Sequence, residues 1–402
     1  MIVLRGFLFL ILFFAVEPSY SQGWLMVSAF TGEARDDGVC FYLDQNAYCG
    51  TGATSQITSH DFFSYDSSID SWESIPSLPS HLGRQYSTAF SDGRLGYVFG
   101  GVNAQRNNFN DLWRFDPVAQ KWDEMLPMPD AARNGMVSFR IDSTAYIISG
   151  RVDDQNLFEE VWAYQINSNE WISKRKINFA PRFKACAAAN SSKGYLCLGR
   201  DPLSRYPKEL YEYNPPLDEW SVISVFPGTG RAYAAMFAYE TELYIMGGLD
   251  TAFNAINDLW KYDLKTGAWS QLDSLPAIAR RGGMWWQEEK AFYYATGIDA
   301  NRNRLKEVWK YTIKPTGNID LVKPTIFISF NESEKEMKIK SSEENWNING
   351  VWEMHDLTGK ILDRGLISFL PHSIQIENIP TGLYVLSIRS KALNKTFKFV
   401  NL

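Results

Sequence analysis

A set of residues that recurs every 49 positions is the feature that most restricts how this chain can fold. Five residue types keep the step, or nearly keep it, and chance does not hold so many in phase. A period of about 50 residues with this content predicts one four-stranded β-sheet per copy. The glycines are Gly52, Gly101, Gly150, Gly199, Gly248 and Gly297, the tyrosines Tyr48, Tyr97, Tyr146, Tyr195, Tyr244 and Tyr293, and the arginines Arg35, Arg84, Arg133, Arg182, Arg231 and Arg280. The acids are Asp61, Asp111, Glu160, Glu209, Asp258 and Glu307, and the tryptophans Trp72, Trp122, Trp171, Trp220 and Trp269.

The residues between these landmarks indicate how each sheet is built. The strand that ends at each glycine is apolar, as at 244–246, which is typical of a strand buried on both faces. Aromatic residues alternate along the next strand, as Trp260 and Tyr262 do, so they share one face. Large aromatics on that face are predicted to fill the space between neighbouring sheets. We interpret them as core rather than as a sugar-stacking surface.

Together with the glycine pairs at 100–101 and 247–248 and the Leu-Pro pairs at 78–79, 126–127 and 275–276, the phased residues resemble kelch repeats. The resemblance covers residues 24–312 and implies an all-β fold, a six-bladed kelch β-propeller. Four of the units have Thr51, Ser149, Leu198 or Thr296 in place of the first glycine of the pair.

The sixth unit lacks its closing tryptophan, because Asn318 stands at that phase. Trp24 lies 48 residues before Trp72, within residues 24–30. Since a propeller has to hide the edges of its first and last sheets, we expect residues 24–30 to pair with residues 307–312. The alternative is a loose amino-terminal arm.

The amino-terminal region predicts export. Arg5 precedes an apolar run over 7–16 that is too short to span a bilayer, and the small residues around Ser19 and Ser21 fit a cleavage site. We therefore expect a signal peptide over 1–21 and a mature chain beginning at Gln22, without a later membrane span. The net charge of -6 gives no support for nucleic-acid binding.

The four cysteines occupy equivalent places in the first and fourth units. Cys40 with Cys49, and Cys186 with Cys197, bracket the hairpin between the first two strands, at positions that can face each other. In an exported protein two cross-strand disulfides are plausible. Four buried thiols are the alternative.

After residue 312 the repeat stops. Residues 313–324 contain two prolines and a glycine and are predicted to be a linker, and residues 325–402 predict short strands in a small β-sandwich. The segments 351–360, 379–386 and 395–400 resemble the type A sorting domain of the type IX secretion system. That resemblance implies recognition by the outer-membrane secretion machinery. An ordinary ligand-binding sandwich is the alternative.

The six phased arginines are our candidate ligand-binding residues. They are expected to stand at the starts of the innermost strands, on the face where loops 102–110, 151–159, 200–208, 249–257 and 298–306 also rise. A guanidinium group can form two parallel hydrogen bonds with one carboxylate. The kelch resemblance implies that arginines at this repeat position contact the ligand, as they do in kelch proteins that bind acidic peptides. The alternative is that each arginine pairs with a nearby acid or carbonyl.

Catalytic interpretations have weaker support. A resemblance to galactose oxidase would require copper-binding histidines, and His60 and His81 are not expected to meet at one metal. An N-acetylneuraminate epimerase-like mutarotase needs a carboxylate beside an arginine; Glu209 and Arg205 have those residue types. No cofactor or metal is predicted.

We therefore expect a secreted or cell-surface propeller that binds a protein or an acidic glycan without catalysis. The second hypothesis is a sugar-acid mutarotase. A third, an assembly part that holds other surface proteins, differs from the first in its partner alone.

Overall fold

The structure, a computed structural model, describes residues 23–313 continuously, and the ranges 326–331, 336–341, 347–356, 360–370, 372–375, 382–390 and 394–401 with a few single residues beyond them. It divides into two compact units, 1–314 and 315–402. The predicted signal peptide over 1–21 and nearly all of the predicted linker lie outside the described residues. The described part is all-β, as predicted, with one short 3-10 turn at Ser80–Leu82 and no α-helix.

Residues 24–312 form six four-stranded antiparallel sheets. After β1 (Trp24–Val27), the first sheet has β2 (Val39–Leu43), β3 (Asn46–Gly50), β4 (Phe62–Asp66) and β5 (Ser71–Ile75). The second has β6 (Thr88–Ser91), β7 (Gly96–Phe99), β8 (Leu112–Asp116) and β9 (Lys121–Glu124), and the third has β10 (Val137–Ile141), β11 (Thr144–Ile148), β12 (Val161–Gln165) and β13 (Glu170–Lys174).

The next three sheets repeat this order. The fourth has β14 (Cys186–Ala189), β15 (Gly194–Cys197), β16 (Glu209–Asn214) and β17 (Glu219–Val225). The short strands β18 (Arg231–Ala232) and β21 (Leu249–Asp250) pair beside the fifth sheet, which has β19 (Ala235–Tyr239), β20 (Glu242–Met246), β22 (Leu259–Asp263) and β23 (Ala268–Leu272). The sixth has β24 (Met284–Gln287), β25 (Ala291–Ala295), β26 (Val308–Thr312) and, as its outer strand, β1.

The pairing of β1 with β26 joins the two ends of the repeat array. Trp24 lies opposite Tyr311, and Met26 lies opposite Trp309. The indole Nε1 of Trp24 donates to the carbonyl of Asp273 at 2.9 Å. The predicted alternative, a loose amino-terminal arm, is therefore wrong for residues 24–27.

The same indole contact recurs in other units, where the closing tryptophan donates its Nε1–H to the preceding unit. The pairs are Trp72 with the carbonyl of Ser28, Trp122 with that of Pro76, and Trp171 with that of Leu126. Trp24 thus fills the place in the sixth sheet that a later tryptophan fills elsewhere. This explains why a segment from the amino-terminal end can complete a sheet near residue 310.

The first strand of each sheet faces the first strands of its neighbours. Ser91 Oγ donates to the carbonyl of Tyr42 at 2.6 Å, and Ser138 Oγ to that of Ala89 at 3.2 Å. Gln287 Nε2 reaches the carbonyl of Ala238 at 2.8 Å and links the last two sheets. These first strands line a channel of about 370 Å³.

Hydrophobic residues fill the spaces between sheets, as the alternating aromatics predict. Phe237 of the fifth sheet stacks on Phe292 of the sixth at 4.1 Å between ring centroids, and Trp24 contacts Phe292 edge-on at 5.8 Å. Both phenylalanines are buried. The aromatic composition is therefore used mainly for the core.

The second unit is built from β27 (Ile326–Asn331), β28 (Glu336–Ser341), β29 (Asn347–His355), β30 (Ile361–Phe369), β31 (His372–Gln375), β32 (Gly382–Ser390) and β33 (Asn394–Asn401). Their order is β27-β28-β31 in one sheet and β30-β29-β32-β33 in the other. One hydrophobic cluster takes Met337 and Ile374 from the first sheet and Trp352 and Leu386 from the second. Among the described residues, no helix is long and apolar enough to span a membrane.

Candidate functional site

The six phased arginines lie inside the sheets, and Arg84 shows how each is held. Its Nε donates to the carbonyl of Leu82 at 2.9 Å and its NH1 to that of Gly100 at 3.1 Å. NH1 and NH2 then form a two-bond ion pair with Asp111 at 2.6 and 2.8 Å. The phased acid at the start of the third strand is thus the partner of the phased arginine.

This arrangement recurs with variations. Arg35 pairs with Asp61, Arg231 with Asp258 and Arg280 with Glu307. Burial raises the pKa of Asp61, but the hydrogen bond and the charge of Arg35 outweigh that effect and leave the pKa lowered.

The third and fourth units depart from the rule. Arg133 pairs with Asp130 at 2.6 Å instead of the phased Glu160, which binds Lys176. Arg182 NH2 lies 3.7 Å from Glu209, beyond hydrogen-bond distance.

The structure corrects the expectation that these arginines line an open ligand pocket. No one of the six is more than 3% exposed, and each Nε already donates to the carbonyl two residues before it. A charged group buried in this way needs partners within the fold. Acids, carbonyls or both are the partners within the fold of Arg35, Arg84, Arg133, Arg182, Arg231 and Arg280.

A ring of residues lies two positions after the arginines and surrounds the axis of the array. All six members have a positive φ between 52° and 65°, a backbone conformation that residues other than glycine rarely adopt. We call them the axial ring; they are Asp37, Tyr86, Gly135, Lys184, Tyr233 and Gly282.

Backbone hydrogen bonds run from member to member of the axial ring. Tyr86 donates its N–H to the carbonyl of Asp37, Gly135 to Tyr86, Lys184 to Gly135, and Tyr233 to Lys184, at 2.8 to 3.1 Å. Asp37 donates to Gly282 at 2.6 Å and so connects the first unit with the sixth. These bonds hold the strained backbone in place while the side chains differ.

The side chains of the axial ring and its neighbours form an ion cluster. Lys184 Nζ lies 3.1 Å from Asp37 Oδ1, and Arg281 NH1 lies 3.1 Å from Asp37 Oδ2. Asp36 is bound by Arg304 at 2.7 Å and by Arg281 at 3.4 Å. Asp36 and Asp37 come from the first unit and both arginines from the sixth, so the cluster ties the seam of the array.

Burial governs protonation in this cluster. Burial and the neighbouring charge of Asp37 raise the pKa of Asp36 to about 7, although Arg304 and Arg281 oppose the shift. Burial lowers the pKa of Lys184, against the effect of Asp37. Burial and Asp37 raise the pKa of Tyr233 to about 12.

Beside the ion cluster lies an aromatic surface with two arginines over it. Phe183 contacts Tyr86 and Tyr233 edge-on at 5.6 and 5.8 Å. Arg151 stacks over Phe183 with its Cζ 3.5 Å from the ring centroid, and Arg200 lies at 5.7 Å. These two arginine side chains are 16% and 23% exposed, so a ligand can reach them.

Asp154 is the acid that the structure gives these two arginines as a partner. Its Oδ1 contacts Arg151 NH1, and lies 2.7 Å from Arg200 NH2. The hydrogen bond from Arg200 holds the pKa of Asp154 below its usual value. We call Arg151, Arg200 and Phe183 the arginine pocket.

The loops around the mouth are held by their own side chains. Asp250 Oδ1 accepts from the N–H groups of residues 252 and 254 at 2.9 and 2.8 Å, and Asp201 Oδ1 caps residues 203 and 205 in the same way. The tips of these loops are exposed, with Leu203 71% and Phe253 75% accessible. Fixed loops with apolar tips can meet a partner without first becoming ordered.

The residues proposed for a mutarotase do not come together as expected. Arg205 Nε binds Asp201 at 2.7 Å, whereas the cation facing Glu209 is Arg182. His60 Nδ1 lies 2.8 Å from the carbonyl of Leu78. In the part of the chain that the structure describes, no three His, Cys, Asp or Glu side chains are grouped to hold a metal.

The two cysteine pairs have different fates. Both pairs are cross-strand partners, as their equivalent positions on either side of the hairpin predict. Cys40 and Cys49 form a disulfide, but Cys186 and Cys197 are free and buried, so the second predicted disulfide is absent from the structure. Burial raises the pKa of both free thiols, which makes them unreactive in this state.

The axial ring is what sequence reasoning missed. Its members keep the 49-residue step, but their residue types differ, and a search for repeated residue types passes over them. A fixed phase with changing chemistry, beside an invariant arginine, was the signal available. The sequence pattern includes Arg151 and Arg200 only within the loops 151–159 and 200–208 and does not single them out as a pair.

Comparison with known proteins identifies the family. Residues 39–248 and 135–316 match the KLHDC2/KLHL20/DRC7 Kelch-repeats domain. These matches cover more than half of the chain, which belongs to this kelch-repeat family and has its β-propeller fold.

Individual relatives match over shorter stretches. Kelch domain-containing protein 3 of Bos taurus and of Homo sapiens is 39% identical over 66 residues, 16% of this chain and 17% of that protein. Kelch-like protein 35 of Mus musculus is 25% identical over 119 residues, 29% of this chain and 20% of that protein. The chain therefore covers only a fifth or less of these relatives.

The solved structure of YjhT superposes with a TM-score of 0.62 and 15% identity, over 72% of this chain and 98% of that one. At this identity the likeness shows the fold alone.

Proposed function

We propose that this chain is a non-catalytic binding module: a six-bladed kelch propeller that takes an acidic group of a protein or glycan on its loop face. The observation that carries the proposal is the arginine pocket. Arg151 and Arg200 stand side by side, partly exposed, over the aromatic ring of Phe183. Paired guanidinium groups that are partly desolvated recognise carboxylates well.

The surroundings of the pocket support a protein segment as the ligand. Kelch propellers are commonly protein-binding modules. The exposed tips Leu203 and Phe253 belong to the fourth and fifth loops of the same face. A segment with a carboxylate for the arginines and a bulky apolar side chain for these tips would complement both features.

Binding of a synthetic peptide tests the proposal. The probe is an acetylated, amidated peptide with four glutamates and one phenylalanine, compared by calorimetry with its glutamine analogue and with N-acetylneuraminate. We expect saturable binding of the acidic peptide, weakened at least tenfold in Arg151→Ala and Arg200→Ala. Each of these two contacts is charge-assisted.

Arg175→Ala is the matched control, since Arg175 is 61% exposed and pairs with Glu219 on outer strands. Equal binding of the acidic and glutamine peptides would contradict the proposal. Equal losses in Arg175→Ala and Arg151→Ala would contradict it too. Binding of N-acetylneuraminate alone, with the same arginine dependence, would assign the pocket to a glycan.

We also propose export by the signal peptide, delivery through the type IX machinery by the carboxyl-terminal unit, and a secreted or cell-surface location. The support is the sequence pattern over 1–21 and the sorting-domain resemblance over 351–400. Intact-mass measurement on the culture medium tests both ends. A secreted chain whose mass corresponds to a start at Gln22 supports signal cleavage. A chain of full mass that stays inside the cell contradicts export.

The mutarotase alternative now rests on a different carboxylate. Asp36, whose pKa is raised to about 7, lies beside Arg304 and Arg281, as an acid-base group for a sugar acid would. Asp36 is only 3% exposed, which favours binding without catalysis. NMR anomer-exchange rates with N-acetylneuraminate discriminate the two, since acceleration lost in Asp36→Asn would support the enzyme.

A further inference from the structure

The arginine pocket is already occupied by a residue of its own chain. Asp154 places one carboxylate oxygen, Oδ1, against both Arg151 NH1 and Arg200 NH2. The Asp154 side chain is nonetheless 73% exposed, far more than either arginine. A carboxylate that is mostly in solvent gains little from an ion pair, so its contact can be exchanged for that of a ligand.

Arg151 does not depend on Asp154 for its position. Arg151 stacks on Phe183 and directs its Nε to Asn134 Oδ1 at 3.4 Å. Its backbone is bridged to residue 134 in both directions at 2.9 Å. Arg151 and Phe183 would therefore keep their places if the carboxylate of Asp154 moved away, while Arg200 would lose the hydrogen bond that a ligand's carboxylate can replace.

The loop does not depend on the Asp154 carboxylate either. The preceding residue, Asp153, caps the turn, and its Oδ1 accepts from the N–H groups of Gln155 and Asn156 at 2.9 Å. Asn156 Nδ2 adds a bond to each oxygen of Asp153 at 2.9 Å. Asp153 thus explains the fold of the loop, and Asp154 is left without a structural task there.

The phase of the repeat singles out Asp154. No other unit has an acid at its position; the equivalent residues are Gln56, Gln105, Leu203, Ala252 and Asn301. The position of Arg151 and Arg200 holds apolar residues elsewhere, namely Ala53, Val102, Leu249 and Ile298. The acid occurs at the position whose carboxylate contacts both arginines.

We infer that Asp154 is a tethered stand-in for the ligand's carboxylate, which a ligand must displace to occupy the arginine pocket. Because Asp154 uses a single oxygen for both arginines, a carboxylate that offers one oxygen to each guanidinium has the better geometry. The stand-in would lower the affinity for every acidic ligand and select those that bind with two oxygens. This inference rests on the proposed function of the same pocket.

The test compares binding of the same acidic peptide by the full mature chain and by Asp154→Asn. Removing a tethered competitor of this exposed kind is expected to strengthen binding about two- to fivefold. Glu33→Gln is the control: it removes the same charge from an exposed residue whose carboxylate accepts from Ser55 Oγ at 2.9 Å. In Asp154→Asn, adding Arg200→Ala should abolish the gain.

The outcomes separate the two proposals. If the wild type binds and loses binding in Arg151→Ala, but Asp154→Asn binds no better than Glu33→Gln, the stand-in is overturned and the binding function remains. If neither the wild type nor Asp154→Asn binds the acidic peptide while both retain wild-type thermal unfolding, both proposals fall. Stronger binding in Asp154→Asn alone supports the stand-in.

Discussion

Arg84 and Tyr86 are two residues apart, and they show two opposite kinds of constraint. Arg84 is fully buried and bound to two carbonyls and Asp111, and its residue type is repeated in all six units. Tyr86 belongs to the axial ring, where the backbone conformation is the same in all six units but the residue type varies. The interior fixes chemistry, whereas the loop face fixes only geometry.

The comparison teaches where a repeat protein can hold its function. Removing one partner of a buried ion pair leaves the other charge buried without compensation, so changing a phased arginine that has a close acid partner is costly. Around the mouth, each unit supplies the same turn, but the six positions are shared among aspartate, tyrosine, glycine and lysine. The axial ring is therefore a set of fixed backbone positions at which the residue type is free to vary.

The largest effect is expected from breaking the interior. Arg84→Met removes four hydrogen bonds and leaves the Asp111 carboxylate, 14% exposed, without its cationic partner. We expect a loss of about 3–5 kcal/mol in the free energy of unfolding, measured by urea denaturation. Arg200→Met on the loop face should change it by less than about 0.5 kcal/mol. Similar losses in the two variants would refute the distinction.

A smaller loss sharpens the comparison within the interior itself. Arg182 lies 3.7 Å from Glu209, and its NH1 has no hydrogen-bond partner among the described residues. Since this pair is looser than that of Arg84 and Asp111, Arg182→Met should cost about 1–2 kcal/mol in the same urea experiment. A cost as large as that of Arg84→Met would show that the distance between arginine and acid does not determine how much each pair stabilises the fold.

The pH dependence of stability probes the ion cluster at the seam. The pKa of Asp36 is raised from 3.8 to about 7 in the folded state, so the folded protein holds this proton where the unfolded chain releases it. The resulting stabilisation is complete below pH 3.8 and is lost as the pH rises through 7. Thermal unfolding should show the wild type losing stability relative to Asp36→Asn across this window. Parallel curves would contradict the raised pKa.

The smallest effect is expected at a loop tip. Phe253 is 75% exposed, so Phe253→Ser should change the free energy of unfolding by less than about 0.5 kcal/mol. The same variant should bind the acidic peptide more weakly, because the peptide's phenylalanine would lose its contact with Phe253. Unfolding by urea and calorimetry of the peptide measure the two effects on one sample. A large loss of stability would mean that the tips belong to the core.

Much of the fold could be predicted because buried positions repeat residue types. The pairing of residues 24–27 with 308–311 followed from a missing tryptophan at one end and an extra one at the other. The facing cysteines followed from their equivalent places on either side of the hairpin between the first two strands. In each case a geometric rule of antiparallel strands connects sequence position to spatial position.

The candidate site could not be predicted as well, for a physical reason. Whether an arginine faces solvent or the interior depends on tertiary packing that a phase does not report. The repeat pattern predicts that the phased arginines face the solvent, but they are buried. Arg151, one residue after a strand-end glycine, is one of those that a ligand can reach. The spacing likewise placed Cys186 opposite Cys197 but could not decide whether they are bonded.

The pairing of β1 with β26 has a consequence for biogenesis. Trp24 is synthesised long before its strand partner, Tyr311, which follows 287 residues later. The ring of sheets cannot close until nearly all of the array has been synthesised. Until then the edge of β1, which carries Trp24, has no strand to pair with. A circular permutant that carries residues 23–30 behind residue 312 would make the two partners local, and it would be expected to reach the native state sooner.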